Sequence, residues 1–169
     1  MYSMGAENYS VLIVQDDREL SRDWTEILEC EGIGRVGRCR SVEEATWCLR
    51  ECKPYAVLLD LNIYWKEDEP EEKRYLREFG GFEVARRAAV AGFDMSRIIV
   101  TSGYIEISAQ LELKALGVQW FLQAPCTPEQ LVYSVCTLLN RPETPEKPAA
   151  LKFIKAAPYV LGLAKPGFL

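Results

Sequence analysis

The chain has 169 residues and a formal net charge of −5 at pH 7, and 49% of its residues are hydrophobic and 27% charged, as in an ordinary soluble domain. Residues 1–140 carry 23 acidic and 15 basic side chains, which argues against nonspecific nucleic-acid binding, because that needs Lys and Arg against phosphate. No apolar run approaches the roughly 20 residues of a membrane span, and the N-terminus lacks the basic and apolar segments of a signal peptide, so we expect a cytoplasmic location.

Continuous apolar runs of strand length alternate with amphipathic segments in the first 60 residues. The run that ends at Asp60 follows Lys53-Pro54 and is apolar up to the carboxylate, which is typical of a parallel strand covered on both faces. Ser41 and Glu44 have the spacing of a capping box at a helix start. Together these patterns predict strand, helix, strand, helix and strand at about residues 10–14, 18–32, 35–40, 42–52 and 55–60.

The same alternation continues after residue 80. Gly92 and Gly117 end two segments of helical spacing, and Thr127-Pro128-Glu129-Gln130 combines an N-cap with a proline at the first helical position. These signals predict helix, strand, helix, strand and helix at about residues 82–91, 97–101, 105–116, 118–122 and 128–139. The alternation predicts the α/β class and a flavodoxin-like (βα)5 doubly wound parallel sheet with strand order 2-1-3-4-5, plus a C-terminal tail.

Two segments fall outside this alternation. Within a domain at residues 9–140, an insertion at residues 64–80 contains six acids and four bases. A connection of that length is usually functional or mobile, and we expect it to lie above Asp60; a solvated loop with one helical turn is the alternative. After a Pro-rich linker at residues 141–148, the tail at residues 149–169 is apolar and basic. Three interpretations of the tail stay open: packing on its own domain, docking a partner or second subunit, and lying on a membrane surface.

The six cysteines form no CxxC pair and the chain has no His, so the spacing of a zinc site is absent. We expect reduced, mostly buried cysteines that pack as small hydrophobic side chains. Cys48 and Cys52, one helical turn apart, are the pair that the sequence singles out for redox chemistry.

Carboxylates follow the first and third predicted strands. Because the carboxyl ends of these strands are neighbours in this topology, we expect Asp16, Asp17 and Asp60 to converge. Carboxylates this close repel one another unless a cation lies between them, and a site with few oxygen ligands suits Mg²⁺. Asp60 would then be a nucleophile for a phosphoryl group, and Thr101 would offer its hydroxyl to a phosphoryl oxygen. Each residue taken alone is also explained as a helix cap or a turn.

Five segments between about Tyr9 and Asn140 carry a resemblance to a known family. They are Val11–Asp17, Ala56–Asn62, Gly81–Glu83, Ile98–Gly103 and Phe121–Pro125. With these motifs and one large insertion, the chain resembles the receiver domain of two-component response regulators. The resemblance implies a single-domain response regulator, switched by phosphorylation, that is not an enzyme beyond its own phosphoryl transfer and dephosphorylation.

The resemblance assigns roles residue by residue. Asp60 matches the phosphoacceptor, and Asp16 and Asp17 match the acid pair that holds Mg²⁺. Asn62 matches the residue whose backbone carbonyl is a further metal ligand. A hydroxyl and an aromatic side chain that rearrange together as the switch are matched by Thr101 and Phe121.

One position departs from the family pattern. Ala124 stands where the family has a Lys immediately before the proline, whose ammonium pairs with the acceptor carboxylate. Losing that cation removes a charge-assisted contact of about 1.5–3 kcal/mol and leaves more negative charge for Mg²⁺ to offset. Three cations of the insertion are candidates for a substitute: Lys66, Lys73 and Arg74.

The resemblance also implies partners. A sensor histidine kinase or a phosphotransfer protein would phosphorylate Asp60. The 29 residues after Asn140 are too few for a helix-turn-helix domain, so we expect no direct DNA binding and an output through protein contacts. The tail, or the face of the fourth helix, fifth strand and fifth helix, would make those contacts, and a homodimer could use the same face.

Two alternatives to this function stay open. The first is a phosphorylation-independent pseudo-receiver that acts as an interaction or scaffold module, which Ala124 and the long insertion favour. The second is a Mg²⁺-dependent phosphotransfer or hydrolase enzyme on a similar sheet. With no His in the chain, its general acid or base would be a carboxylate of the insertion such as Glu67 or Asp68.

Overall fold

The structure, a computed structural model, describes residues 10–64, 80–103 and 106–139, together with the backbone of residues 153–155. The strands are β1 (Val11–Val14), β2 (Val36–Cys39), β3 (Ala56–Asp60), β4 (Ile98–Ser102), β5 (Trp120–Gln123) and β6 (Phe153–Lys155). The helices are α1 (Arg18–Cys30), α2 (Val42–Glu51), α3 (Gly80–Val90), α4 (Ile107–Ala115) and α5 (Pro128–Leu139), and a short 3-10 helix spans Met95–Arg97. The strands form one sheet in the order β2-β1-β3-β4-β5-β6.

Strands β1 to β5 are parallel, and helices cover both faces of the sheet. Trp24 and Leu28 of α1 share one apolar core with Leu131 of α5, whereas side chains of α2, α3 and α4 form the core on the other face. Every residue of β1 and β4 is buried, which explains why these segments are apolar on both faces. The predicted α/β class, the flavodoxin-like fold and the strand order 2-1-3-4-5 are confirmed.

Polar side chains close two helix N-termini where the sequence predicts them. The hydroxyl of Ser41 accepts a hydrogen bond from the backbone N–H of Glu44 at 3.2 Å. Thr127 and Gln130 exchange bonds, since each backbone N–H donates to the side-chain oxygen of the other at 3.0 and 3.3 Å. Glu44 differs from a standard capping box, because its carboxylate accepts from the backbone N–H of Arg40 at 2.7 Å. The turn between β2 and α2 is therefore fixed by two side chains.

Helix α3 begins at Gly80, two residues before the predicted start. Gly80 and Gly81 are both buried against the segment that follows β3. A Cβ atom on Gly81 would lie 2.3 Å from the backbone oxygen of Asp60 and 2.6 Å from the Cα of Leu61, so no side chain fits there. The first turn of α3 consequently packs directly on the chain that carries Asp60.

Helix α4 is short and weakly packed. Leu113 is its buried side chain, whereas Ile107 and Leu111, one turn apart, are 78% and 49% exposed. An apolar strip on this helix therefore faces solvent in the described part of the chain. None of the helices within the described ranges has the length and apolar character that crossing a membrane requires.

The tail contributes one strand that the sequence did not predict. Residues 153–155 form β6, which runs antiparallel to β5 with Ile154 opposite Phe121. β6 covers an edge of β5 that would otherwise end the sheet. For these three residues, packing on their own domain is therefore the interpretation that holds. Residues 65–79 of the insertion, the linker and the rest of the tail lie outside the described residues, so their roles and the domain boundaries stay predictions.

Candidate functional site

The carboxyl ends of β1, β3 and β4 meet at one edge of the sheet. Val14, the last residue of β1, pairs with Leu59, and the next residue of β3, Asp60, pairs with Thr101 on β4. The predicted acceptor and the predicted switch hydroxyl are therefore direct neighbours on parallel strands. Asp16 follows β1 and interacts electrostatically with Asp60, so this edge brings Asp16, Asp60 and Thr101 together.

Both oxygens of the Asp60 carboxylate accept hydrogen bonds. Oδ2 accepts from Nε2 of Gln15 at 2.6 Å, and Oδ1 accepts from the backbone N–H of Asn62 at 2.8 Å. Burial raises the pKa of Asp60 above its ordinary value, while the hydrogen bonds from Asn62, Gln15 and the backbone of Leu61 oppose that rise. These donors, all in the described part of the chain, are neutral, so Asp60 is oriented without a direct cation contact among them.

Gln15 is the site residue that sequence reasoning missed. It follows Val14 directly and is 3% exposed. While its Nε2 donates to Asp60, its Oε1 accepts from the backbone N–H of Asp17 at 3.1 Å, and its own backbone N–H donates to the carbonyl of Cys39 at 3.0 Å. One amide therefore connects the loop after β1 to the acceptor strand. Its position as the first polar residue after a buried apolar run was the signal that could have identified it.

Asp16 and Asp17 behave differently in the structure. Asp17 is the N-cap of α1, because its Oδ1 accepts from the backbone N–H groups of Glu19 and Leu20 at 2.9 and 3.0 Å. The pKa of Asp16 is raised, first by burial and then by the negative charge of Asp60.

The expected convergence of three carboxylates is not found. Within the described ranges, no three His, Cys, Asp or Glu side chains lie close enough together to hold a metal ion. The physical reason is the cap, since Asp17 turns its carboxylate towards the first turn of its own helix. Asp16 and Asp60 are the carboxylates that interact across the edge, and the metal roles predicted for Asp16, Asp17, Asp60 and Asn62 stay predictions.

The two predicted switch residues lie inside the fold. Thr101 is 1% exposed, and its Oγ1 has no hydrogen-bond partner among the described residues. Leaving a buried hydroxyl unpaired costs about 1–3 kcal/mol, so such a group needs an explanation. Phe121 is 5% exposed and pairs with Val100, the residue before Thr101, on the neighbouring strand. The hydroxyl of Thr101 is therefore the unsatisfied polar group of this site.

Ala124 lies in the loop after β5, at the position where the resemblance predicts a lysine. Its backbone N–H donates to the carbonyl of Ser102 at 2.9 Å, and the peptide bond to Pro125 is cis. The loop therefore lies beside the end of β4, next to Thr101. The suggested substitute cations lie outside the described residues: Lys66, Lys73 and Arg74.

Arg40 is a cation that the structure does bring to the margin of the site. Its Nε and Nη2 lie 3.3 and 3.4 Å from the backbone carbonyl oxygen of Asp16. Its backbone N–H is held by Glu44, which fixes the turn from which the side chain extends. Sequence reasoning did not single out Arg40, because it follows β2, whose end was not expected to contribute to the site.

The residues at this edge fit a small, hard cation with few protein ligands. Asp16 and Asp60 offer carboxylate oxygens and Asn62 offers a backbone carbonyl oxygen, which are donor types that Mg²⁺ prefers. The raised pKa of Asp16 reflects in part the charge of Asp60, a repulsion that a cation would relieve. The unpartnered hydroxyl of Thr101 is a donor for an anionic oxygen bound at Asp60. Gln15 already occupies one lone pair of Oδ2 of Asp60, and the carboxylate keeps further lone pairs for a bound cation.

No protein-family profile and no curated protein sequence matches this chain. Solved structures do match it. One is a CheY-like response regulator receiver domain protein from Methanospirillum hungatei JF-1, with 19% identity and a TM-score of 0.62 over 79% of this chain and 95% of that one. Another is chemotaxis protein CheY4 from Vibrio cholerae, with 19% identity and a TM-score of 0.61 over 78% of this chain and 98% of that one. A third is the receiver domain of the Francisella response regulator 1452, with 16% identity and a TM-score of 0.62 over 79% of this chain and 98% of that one. The chain therefore has the fold of response regulator receiver domains.

Proposed function

We propose that the chain is a signalling module of the response-regulator kind, in which Asp60 accepts a phosphoryl group and thereby changes protein contacts. The observation that carries the proposal is the pairing of Asp60 with Thr101, whose buried hydroxyl has no partner within the described residues. A phosphoryl oxygen on Asp60 would give this hydroxyl an acceptor. A carboxylate can be the nucleophile for a phosphoryl group, and an unused hydroxyl beside it can donate to a phosphoryl oxygen.

The attacking atom in this proposal is Oδ2 of Asp60. Oδ1 is held by the backbone N–H of Asn62 in the turn after β3, whereas Oδ2 is held by the side chain of Gln15. Oδ2 then forms a bond to phosphorus while the bond between phosphorus and the donor's leaving atom breaks, and the leaving group keeps the electron pair. Bound Mg²⁺ would neutralise charge on the phosphoryl oxygens. Asp16, Asp60 and the carbonyl of Asn62 are the groups we propose to hold it.

The donor in this proposal is a sensor histidine kinase or a phosphotransfer protein, and the output is a protein contact. The hydroxyl of Thr101 would move towards the phosphoryl group, and Phe121, on the next strand, would repack. Helix α4 presents apolar side chains to solvent, since Ile107 and Leu111 are 78% and 49% exposed. We expect a protein partner, or a second copy of the chain, to contact this face.

Titration with Mg²⁺ and then with beryllium fluoride, a mimic of an aspartyl phosphate, tests phosphoryl acceptance. Tryptophan fluorescence reports the response, since Trp120 lies in β5 next to Phe121, and calorimetry measures binding directly. We expect a saturable, Mg²⁺-dependent response that Asp60→Asn removes. Asp94→Asn is the matched control, because Asp94 is an exposed carboxylate that caps the turn before β4, at the opposite end of that strand. If neither method detects the fluoride, Asp60 is not a phosphoryl acceptor.

A phosphorylation-independent interaction module is the second candidate, and the hydrogen bond from Gln15 to Asp60 favours it. At 2.6 Å this amide gives Asp60 the contact that the lysine of the family would give, while Ala124 offers no cation. The carboxylate is then satisfied as it stands, and partners bind the unmodified domain. Incubation with a small acyl phosphate and Mg²⁺ separates the two candidates. A phosphate adduct on intact protein, absent in Asp60→Asn, would exclude the second candidate.

A further inference from the structure

Three of the six cysteines lie together between β2 and α2. Cys39 ends β2, Cys48 lies in α2 and Cys52 follows it, and their exposures are 1%, 0% and 0%. The thiol of Cys39 donates to the Sγ atom of Cys48 at a sulfur–sulfur distance of 3.0 Å. Cys52 makes a further side-chain hydrogen bond with Cys48. The sequence singled out Cys48 with Cys52, whereas the structure brings Cys39 directly against Cys48.

The geometry between these two sulfur atoms is close to that of a disulfide. A disulfide has a sulfur–sulfur distance of about 2.0 Å, so the two Sγ atoms need to approach by about 1 Å. Both residues belong to elements joined by one tight turn, in which the hydroxyl of Ser41 and the carboxylate of Glu44 each hold a backbone N–H. When α2 is packed on β2, the two thiols are thus already in contact before any bond forms.

We propose that Cys39 and Cys48 are an oxidation site, at which a hydroperoxide converts the two thiols into a disulfide that links β2 to α2. The Cys48 thiolate attacks one peroxide oxygen, the O–O bond breaks, and water or an alcohol leaves, so that Cys48 becomes a sulfenic acid. The sulfur of Cys39 then attacks the sulfur of Cys48 and displaces hydroxide, which leaves as water with the proton of the Cys39 thiol. Two electrons pass from the two thiols to the peroxide.

The surroundings assign the roles of the two thiols. The hydrogen bond from Cys39 lowers the pKa of Cys48 although burial acts in the opposite direction, so Cys48 is the thiol that ionises first. The same hydrogen bond, together with burial, raises the pKa of Cys39, which suits a thiol that reacts only after its partner has been oxidised. Burial also raises the pKa of Cys126, to about 11, which makes that thiol a poor nucleophile at neutral pH.

Access to the cluster sets the rate of this reaction. All three thiols are buried, so a peroxide reaches them only when α2 moves away from β2. In the described sheet β2 is an edge strand, so the contact between Cys39 and Cys48 lies at one margin of the sheet. We therefore expect oxidation that is slower than that of the exposed Cys30 but that ends in one specific intramolecular bond.

The bond would also form beside the carboxylate edge. The backbone carbonyl of Cys39 accepts from the backbone N–H of Gln15, and the next residue, Arg40, contacts the carbonyl of Asp16. The oxidation site does not depend on phosphoryl acceptance, since its product is a covalent bond that is measured in the resting protein.

The experiment uses the full chain with Cys30→Ser, which removes the exposed thiol that could form disulfides between molecules. The protein is treated with hydrogen peroxide, denatured, alkylated and digested without reduction. We expect the number of alkylatable thiols to fall by two, one peptide pair joined through Cys39 and Cys48, and full reversal by a thiol reductant. Cys52→Ala should leave the pair unchanged, and Cys48→Ala should abolish it.

Other products would overturn the proposal. One is a disulfide between Cys48 and Cys52, and another is sulfinic acid at Cys48 without loss of the Cys39 thiol. The proposal is also wrong if all buried thiols remain unreacted under peroxide that fully oxidises Cys30 in the parent chain. Because Cys48→Ala opens a cavity, circular dichroism checks that the variant is folded. If it is not, Cys39→Ser combined with Cys52→Ala serves in its place. No resolving thiol then contacts Cys48, so oxidation should stop at the sulfenic acid, which a dimedone probe detects.

Discussion

Replacing Gln15 by Glu converts the neutral donor at Asp60 into a third carboxylate with nearly the same shape. The change removes the 2.6 Å hydrogen bond from Nε2 to Oδ2 of Asp60, and it keeps an acceptor for the backbone N–H of Asp17. Gln15 is 3% exposed, so the new charge would be buried. We therefore expect the variant to be less stable than the parent protein in metal-free buffer and to become dependent on a divalent cation.

The magnitude follows from two terms. A hydrogen bond to a charged group contributes about 1.5–3 kcal/mol, and this contribution is lost. Two carboxylates about 4 Å apart repel by about 4 kcal/mol at an effective dielectric constant of about 20. Two effects reduce this repulsion to about 1–2 kcal/mol: the partial exposure of Asp60, and the uptake of a proton by the new side chain. The expected loss in the free energy of unfolding is therefore about 2.5–5 kcal/mol near neutral pH.

Magnesium should restore much of that loss. A ligand at 100 times its dissociation constant stabilises the folded state by about 2.7 kcal/mol, so a cation bound at Asp16, Asp60 and the new carboxylate should recover about half of the deficit or more. Gln15→Met is the matched control. It loses the hydrogen bond without adding charge, so it should be destabilised by about 1.5–3 kcal/mol, and it should gain less stability from Mg²⁺ than Gln15→Glu because it keeps Asp16 and Asp60 but lacks the third carboxylate.

Chemical denaturation of the three proteins, with EDTA and with Mg²⁺, measures these differences. The reasoning fails if Gln15→Glu is as stable as the parent in EDTA, or if Mg²⁺ stabilises Gln15→Glu and Gln15→Met equally. The first result would mean that the amide of Gln15 does not stabilise Asp60. The second would mean that the carboxylate at residue 15 does not bind the cation.

Three further predictions concern the same edge. In metal-free buffer the free energy of unfolding should fall as the pH rises from about 4. The folded-state pKa values of Asp16 and Asp60 lie above their ordinary value of 3.8, so the folded state binds more protons than the unfolded state in this range. Asp16→Asn should flatten this decline in a series of denaturation measurements at different pH values. Thr101→Val should stabilise the ligand-free protein by about 1 kcal/mol, since it removes an unpaired buried hydroxyl, and should abolish the fluorescence response to beryllium fluoride. Ala124→Lys should restore more stability in the Gln15→Glu background than in the parent, with a coupling of about 1–2 kcal/mol in a double-mutant cycle.

Each of these three predictions has a result that would contradict it. An unchanged pH slope in Asp16→Asn would show that other carboxylates dominate the acid titration. A destabilised Thr101→Val would mean that the hydroxyl is satisfied in solution. Additive effects of the substitutions at residues 15 and 124 would show that the two positions do not share a charge environment.

The fold could be predicted from the sequence because its signals are local and repeated. β1, β3 and β4 are buried on both faces, so their sequences are largely continuous apolar runs. The capping residues Ser41 and Thr127 identify two helix starts within a residue or two. β6 could not be predicted in this way, because a strand of three residues that depends on pairing with β5 carries almost no signal of its own.

The site was less predictable, because it depends on helix boundaries and on contacts across the fold. Whether Asp17 binds a metal ion or caps a helix depends on where α1 begins, and sequence patterns define that point less well than side-chain chemistry requires. Gln15 carries no charge and was overlooked beside two acids, although its amide reaches Asp60. The contact between Cys39 and Cys48 joins a strand to a helix, so sequence spacing favoured the pair one turn apart, Cys48 and Cys52.

The hydrogen bond from Gln15 takes the place of one contact that the lysine of the receiver pattern would make with Asp60. The pattern predicted three carboxylates with one lysine contacting the acceptor, a formal charge of minus two. Here Ala124 supplies no ammonium, and the charge of Asp17 still acts on Asp16 although its carboxylate caps α1, so the formal charge is minus three. The amide of Gln15 gives Asp60 the donor that the ammonium would have given. Because a neutral amide holds Asp60 less strongly than an ammonium, and has no charge to transfer to a phosphoryl group, we expect this site to need Mg²⁺ more than one with a lysine at residue 124. Gln15 and Ala124 therefore have to be exchanged together before the loss of the lysine can be judged.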